Sequence, residues 1–208
     1  MSRVVYAESF QQVVRPISRV HPGVFKTQID LNALRDAVHE SQRRGDAYPS
    51  DPSRRVSVTR DAQIVMGEVV DENHTSKVQQ GTFAGVPQPS ATERQLVRNK
   101  LPVQTQWVEA GGIGGWAFPV HTELGDRFDI LIYDAGSKWK AILISPTIEG
   151  RFNAHNSHLY SDGHICLSDS PGNGQPTLEE AFSKSVLWAN GMSIHMKGHP
   201  FPFSINNL

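Results

Sequence analysis

Leu31, Leu34 and Val38 recur at the spacing of one helical face, behind Asp30, a good N-cap, and ahead of Gly45, which can supply a left-handed stop. The pattern predicts a helix over residues 31 to 44. Between Arg55 and Val70 the apolar positions fall into two short runs, Val56 with Val58 and Ile64 to Met66, around the polar pair Arg60 and Asp61. That arrangement predicts two short strands joined by a turn. Asp71 to Pro89 is polar and broken by Asn73, Gly81, Gly85, Pro87 and Pro89, which reads as an extended loop inserted into a domain. Thr92 opens the capping-box pattern Thr92-Glu93-Arg94-Gln95, and Pro102 limits the helix behind it to a short one.

Beyond Pro102 the chain turns strand-like in four stretches, Gln104 to Glu109, Gly115 to Val120, Phe128 to Tyr133 and Trp139 to Ser145. Their short connections predict an antiparallel meander. The run from Gly111 to Gly115 resembles a phosphate-cradling loop only superficially. Another strand follows it instead of a helix N-terminus, so it reads as a hairpin turn. Thr177-Leu178-Glu179-Glu180 is a second capping box, and Leu178, Phe182, Val186 and Ala189 continue one apolar face up to Gly191. The tail from Gly198 to Phe203 carries Pro200 and Pro202, so it is expected to leave the helix and pack Phe201 and Phe203 on the domain. These elements predict an α+β architecture with a helix, a meander, an irregular segment and a final helix.

A chain of 208 residues with 38% hydrophobic positions is long enough for one elaborated domain spanning 1–208. Its balance of 20 Lys and Arg against 21 Asp and Glu supplies no field to draw it onto nucleic acid or an anionic membrane, so neither is expected as a partner. The longest apolar runs, such as Ile130 to Tyr133, are too short to span a bilayer, and the first residues lack an apolar signal-peptide core. The single Cys forms no internal disulfide and suits a reducing compartment, so a cytoplasmic location is expected.

That Cys lies in the segment richest in chemistry. From Arg151 to Asp169 the chain holds three of its nine His residues together with Cys166. Asp162-Gly163 suits a tight turn just before the Cys, and Leu159, Tyr160 and Ile165 to Leu167 can anchor the segment. A thiol acts as a nucleophile through its thiolate, aided by groups that donate hydrogen bonds to it or to a developing oxyanion. His155, Asn156 and His158 are the candidates for that task. On these residues alone a Cys between Ile165 and Leu167 also suits a small buried hydrophobe, and both readings stay open.

The nine residues from Tyr160 to Ser168, Y-S-D-G-H-I-C-L-S, resemble the active-site stretch of ubiquitin-conjugating enzymes. In that family a Gly, a variable residue, an apolar residue, the catalytic Cys and a Leu follow a His-Pro-Asn motif. The run is most similar to the branch called ubiquitin-conjugating enzyme W, which carries His where the motif has Asn. Counting back from Cys166, Asn156, Ser157 and His158 occupy the three motif positions. The resemblance implies a UBC-like α+β fold, a thioester on Cys166, and a role for His158 in stabilising an oxyanion or ordering the loop. In element order the chain also resembles bacterial relatives of these enzymes, encoded beside an activating-enzyme homologue and a JAB-type isopeptidase. The implied partners are therefore a ubiquitin-like protein, an activating enzyme, a protein substrate and an isopeptidase of the same pathway, with no cofactor. The departures are Asn156 for the motif's His, Ser157 for its Pro, and Ser170 to Gly174 where eukaryotic members keep a Trp. Local resemblance covers residues 140 to 190; residues 1–100 form a divergent N-terminal part with an extension ahead of the first helix, and 101–208 carry the meander, the loop and the final helix.

In that chemistry an acceptor amine must lose a proton, and Asp169 and Asp162 are the carboxylates nearest Cys166 in sequence. His164 can assist, although alternation with the core-facing Ile165 turns it towards solvent. Three rival readings remain. His155, His158, His164, Cys166 and Asp162 include the usual zinc ligands, but their spacing matches no common zinc motif. Cys166 can also pair with a distant His195 or His199 in a Cys-dependent hydrolase, or the chain can be a UBC-like binding module without activity.

Overall fold

A computed structural model of the protein describes residues 29–45, 56–58, 63–66, 88–168 and 174–203. In chain order its elements are α1 (Leu31–Arg44), β1 (Val56–Val58), β2 (Ile64–Met66), α2 (Ala91–Lys100), β3 (Gln106–Ala110), β4 (Ile113–His121), β5 (Arg127–Asp134), β6 (Trp139–Ser145), α3 (Ala154–Ser157), β7 (His164–Ile165) and α4 (Leu178–Met196). β1 and β2 form an antiparallel pair, and β3 to β7 form a five-stranded antiparallel sheet in sequential order. The architecture is α+β. Among the described residues no helix is long and apolar enough to cross a membrane.

Alternation along the strands builds two cores. Trp116, Phe118, Phe128, Ile130, Ile132, Ala141 and Leu143 face one side, where Phe182, Trp188, Ala189 and Met192 of α4 and Val97 of α2 complete the packing. Ala117, Leu131, Tyr133, Ile142 and Ile144 face the other, against Leu34 and Val38 of α1. Covering both faces explains why β5 and β6 read as near-continuous apolar runs. The Asp30 carboxylate accepts from the N–H groups of Asn32 and Ala33 at 3.1 Å, and Gly45 closes α1 in the left-handed conformation, as their chemistry predicts. Gly111 and Gly112 both take positive φ, the requirement of a two-residue hairpin turn between β3 and β4. The run is a turn and not a phosphate loop. The N–H of Asp30 donates to the Gly111 carbonyl at 3.0 Å, so the start of α1 docks on that turn.

The structure corrects three expectations. α2 is capped by Ser90, with Glu93 returning the reciprocal bond; Thr92 lies inside the helix. Ser90-Ala91-Thr92-Glu93 satisfies the same capping pattern two residues earlier, and the buried Pro89 just ahead of Ser90 fixes the entry. β3 begins at Gln106, after a turn in which the Thr105 N–H donates to the Pro102 carbonyl at 2.9 Å, and β4 runs over Ile113–His121 because the two-residue turn brings its start forward. α4 is capped by Thr177 and Glu180 as predicted, but it continues through Gly191 to Met196. The loop expected from Asp71, most of its length, lies outside the described residues, as does Asp169.

Candidate active site

The segment from Asn153 to Ser168 hangs from the β6 edge of the sheet. The Asn153 side chain accepts from the N–H groups of His155 (2.9 Å) and Asn156 (3.3 Å) and so starts the single turn of α3. Buried Ser157 donates from its hydroxyl to the Asn153 carbonyl at 2.9 Å, and the Trp188 indole N–H of α4 donates to the Ser157 carbonyl at 2.9 Å. His158 then leaves the turn in the left-handed conformation, φ 54° and ψ 28°. The chain folds back on itself: Leu159 bridges Ile165, the Tyr160 N–H donates to the His164 carbonyl at 2.9 Å, and the Gly163 N–H to the Tyr160 carbonyl at 3.1 Å. This is the expected Asp162-Gly163 turn. β7 pairs with β6 through Ala141 and Ile142, and the Cys166 N–H donates to the His158 carbonyl at 2.8 Å.

Cys166 is half-buried, with Ile165 and Leu167 buried on either side of it in the α4-side core. Its thiol donates to the Ser168 carbonyl at 3.3 Å. The two neighbours act as anchors and the thiol alternates out of the core, which is the opposite of a small hydrophobe's placement. Gln175, buried and paired with Trp139 through both backbone groups, donates its side-chain N–H to the Leu167 carbonyl and fixes the far side of the thiol.

Cys166 and His158 are therefore joined through the backbone. The His158 ring lies edge-on to Phe201 at 5.1 Å between centroids, and burial, with His155 nearby, holds its pKa below the usual value, so it is neutral at pH 7. Asn156 is exposed, its backbone N–H held by Asn153. His155 is exposed as well.

His164 departs from expectation. It alternates with Ile165 as predicted, but that face lies over the α1-side core, so its side chain is only partly exposed. Its Nε2 lies 2.9 Å from the Tyr133 hydroxyl, and its Nδ1 lies 3.1 Å from the Asp162 carboxylate, which also accepts the His164 backbone N–H. The carboxylate accepts from Nδ1–H, leaving Nε2 to accept from the phenol. Burial, with a contribution from the Asp162 charge, pushes the Tyr133 pKa up to about 12, so the phenol keeps its proton. Both ring nitrogens thus have partners, and His164 orders the turn. Sequence reasoning treated Tyr133 only as a strand residue. Its signal was its place on the same sheet face as Leu131, opposite Ile132.

The remaining imidazoles are dispersed. His195 donates from Nδ1 to the His199 carbonyl at 2.9 Å and packs on Phe152 at 5.3 Å, and no described contact brings it to the thiol. His158 faces Phe201 while His164 and Asp162 face Tyr133, and among the described residues no three His, Cys, Asp or Glu side chains group as metal ligands would. No protein-family model, no curated protein and no solved structure matches this chain.

Proposed function

We propose that the chain is a ubiquitin-conjugating-type enzyme of UBC-like fold from a bacterial ubiquitin-like modification pathway, carrying the modifier as a thioester on Cys166. The observation that carries this reading is the setting of the only thiol. It is half-buried at the end of β7, anchored by Ile165 and Leu167 on either side, with its N–H held by the carbonyl of the residue at the motif's Asn position. The surroundings supply hydrogen bonds and geometry and no committed general base, which is what thiol exchange requires. The Cys166 thiolate attacks the carbonyl of the modifier held on the activating enzyme, whose thiolate leaves. An amine of the protein substrate then attacks the new thioester, an amide forms, and the Cys166 sulfur departs and is reprotonated.

In this scheme His158 orders the loop through its carbonyl, and the exposed Asn156 is assigned to donate to the incoming carbonyl oxygen. Asp162 is engaged by His164, so Asp169 is the carboxylate assigned to the amine's proton. An isopeptidase of the JAB type would reverse the modification. The test mixes the full chain with an activating enzyme, its cognate ubiquitin-like protein and ATP. A thiol-sensitive adduct is expected on the wild type, none on Cys166→Ala, and a thiol-resistant one on Cys166→Ser or Cys166→Lys. No adduct with a cognate pair, or an equal one on Cys166→Ala, would overturn the reading.

A further inference from the structure

Two residues occupy positions that their chemistry disfavours, and both meet the same ring. His158 is the one non-glycine residue with positive φ among the described residues, at a position where Gly or Asn would be the undemanding choice. Gly191 lies inside α4, where Ala is the better helix former. A Cβ at Gly191 would come within 2.6 Å of Cζ and 2.9 Å of Cε1 and Cε2 of Phe201, so the missing side chain makes the notch in which that ring sits. The same ring packs T-shaped on the His158 imidazole, with 5.1 Å between centroids. Such unfavourable choices persist where the surroundings require them.

The segment bearing Phe201 is itself held in place. The Gly198 N–H donates to the His195 carbonyl and the His195 ring to the His199 carbonyl, both at 2.9 Å, and Phe203 lies 6.2 Å from Phe201. We propose that Phe201 is a positioning residue for Cys166: its ring, seated in the Gly191 notch, holds His158 in the left-handed conformation whose carbonyl fixes the Cys166 backbone. The tail is thus a strap on the thiol loop. The biological use of the strap rests on Cys166 being the nucleophile, but the arrangement itself is tested on the thiol without any partner.

Cys166 is the only Cys in the chain, so its capture by dithiobis-nitrobenzoate reports one site. The measurements are the pH–rate profile of that reaction, hydrogen exchange of the Cys166 amide, and the melting temperature. Phe201→Ala and Gly191→Ala are each expected to speed exchange of the Cys166 amide about threefold to tenfold, the loss of one aromatic edge contact, and to shift the pH–rate profile. The double variant should go no further than either single one, because both remove the same contact. Phe201→Tyr should restore wild-type behaviour. Phe201→Leu keeps apolar bulk without the ring and should behave as the Ala variant does, which preserves the comparison if Phe201→Ala does not fold. Wild-type exchange and pH profile in Phe201→Leu and Gly191→Ala, or acceleration shared equally by the amides of β4 and β5, would overturn the proposal. Either result would leave the thioester assay unaffected.

Discussion

The His164 imidazole shows how a single side chain decides what the loop can do. With Asp162 on one nitrogen and the Tyr133 hydroxyl on the other, the ring ties the turn before Cys166 to a central strand. Tyr133→Phe removes one of those bonds and leaves a partly buried nitrogen without a donor, which is expected to cost about 1 to 3 kcal/mol in urea unfolding at pH 7. The phenol also carries a pH dependence. Its folded pKa of about 12 exceeds the unfolded value of 10.0, so the stability it contributes is complete below pH 10 and declines as pH rises towards 12; Tyr133→Phe should flatten that alkaline decline. His158 works in the opposite direction. Its pKa is lowered from 6.5 in the fold, so as pH falls through that value the unfolded chain takes up the proton first and stability drops. The melting temperature of the wild type should therefore fall more between pH 7.5 and pH 5 than that of His158→Asn, whose side chain tolerates the left-handed position without titrating. Equal slopes would remove His158 as the titrating group.

At the scale of elements, α4 is the support on which the site is built, since it supplies the Trp188 bond to Ser157 and the Gly191 notch. Thr177→Ala opens its capping box and should cost about 1 kcal/mol, read as a shift in the urea midpoint with unchanged slope. The elements whose signals are local were legible in the sequence. α1 follows from Leu31, Leu34 and Val38 between Asp30 and Gly45, and the meander follows from short apolar runs between Gly, Asp and Pro. What was not legible depended on distant chain. Gly191 reads locally as a helix stop, and only the returning Phe201 explains why the helix runs through it. Ser90 and Thr92 both open valid capping patterns, and tertiary packing at Pro89 chose the first. His164 alternates as expected, but alternation states only which face a residue takes. That the face also carries Tyr133 depends on a register between β5, β6 and β7 that no local pattern encodes. In the site itself, Cys166 and His158 could be singled out from sequence. Their connection could not, because it runs through a backbone bond across a left-handed turn.

Taken as a whole molecule, the protein is a sheet with two cores that meet at one loop. Ile165 and Leu167 belong to the core under α4, whereas the Tyr133 partner of His164 belongs to the core under α1. The Asp30 contact with the Gly111 turn and the Arg35 side chain, which donates to the Ile144 carbonyl at 2.9 Å and pairs with Glu149, tie α1 to both β3 and β6. If the two cores form one cooperative unit, damage on the α1 side must reach the thiol on the far edge. Leu34→Ala is the probe: Leu34 is fully buried on α1, and its loss leaves a cavity in the cluster that holds Leu131 and Ile142. The expected cost is about 2 to 5 kcal/mol, a large share of the 5 to 15 kcal/mol typical of a domain. Urea unfolding followed by far-ultraviolet circular dichroism and by the accessibility of Cys166 should then give coincident transitions at a lowered midpoint. Separation of the two curves, with the thiol protected after the helical signal is lost, would show that α1 is an independent cover. The His164 to Tyr133 link would in that case be too weak to join the two layers.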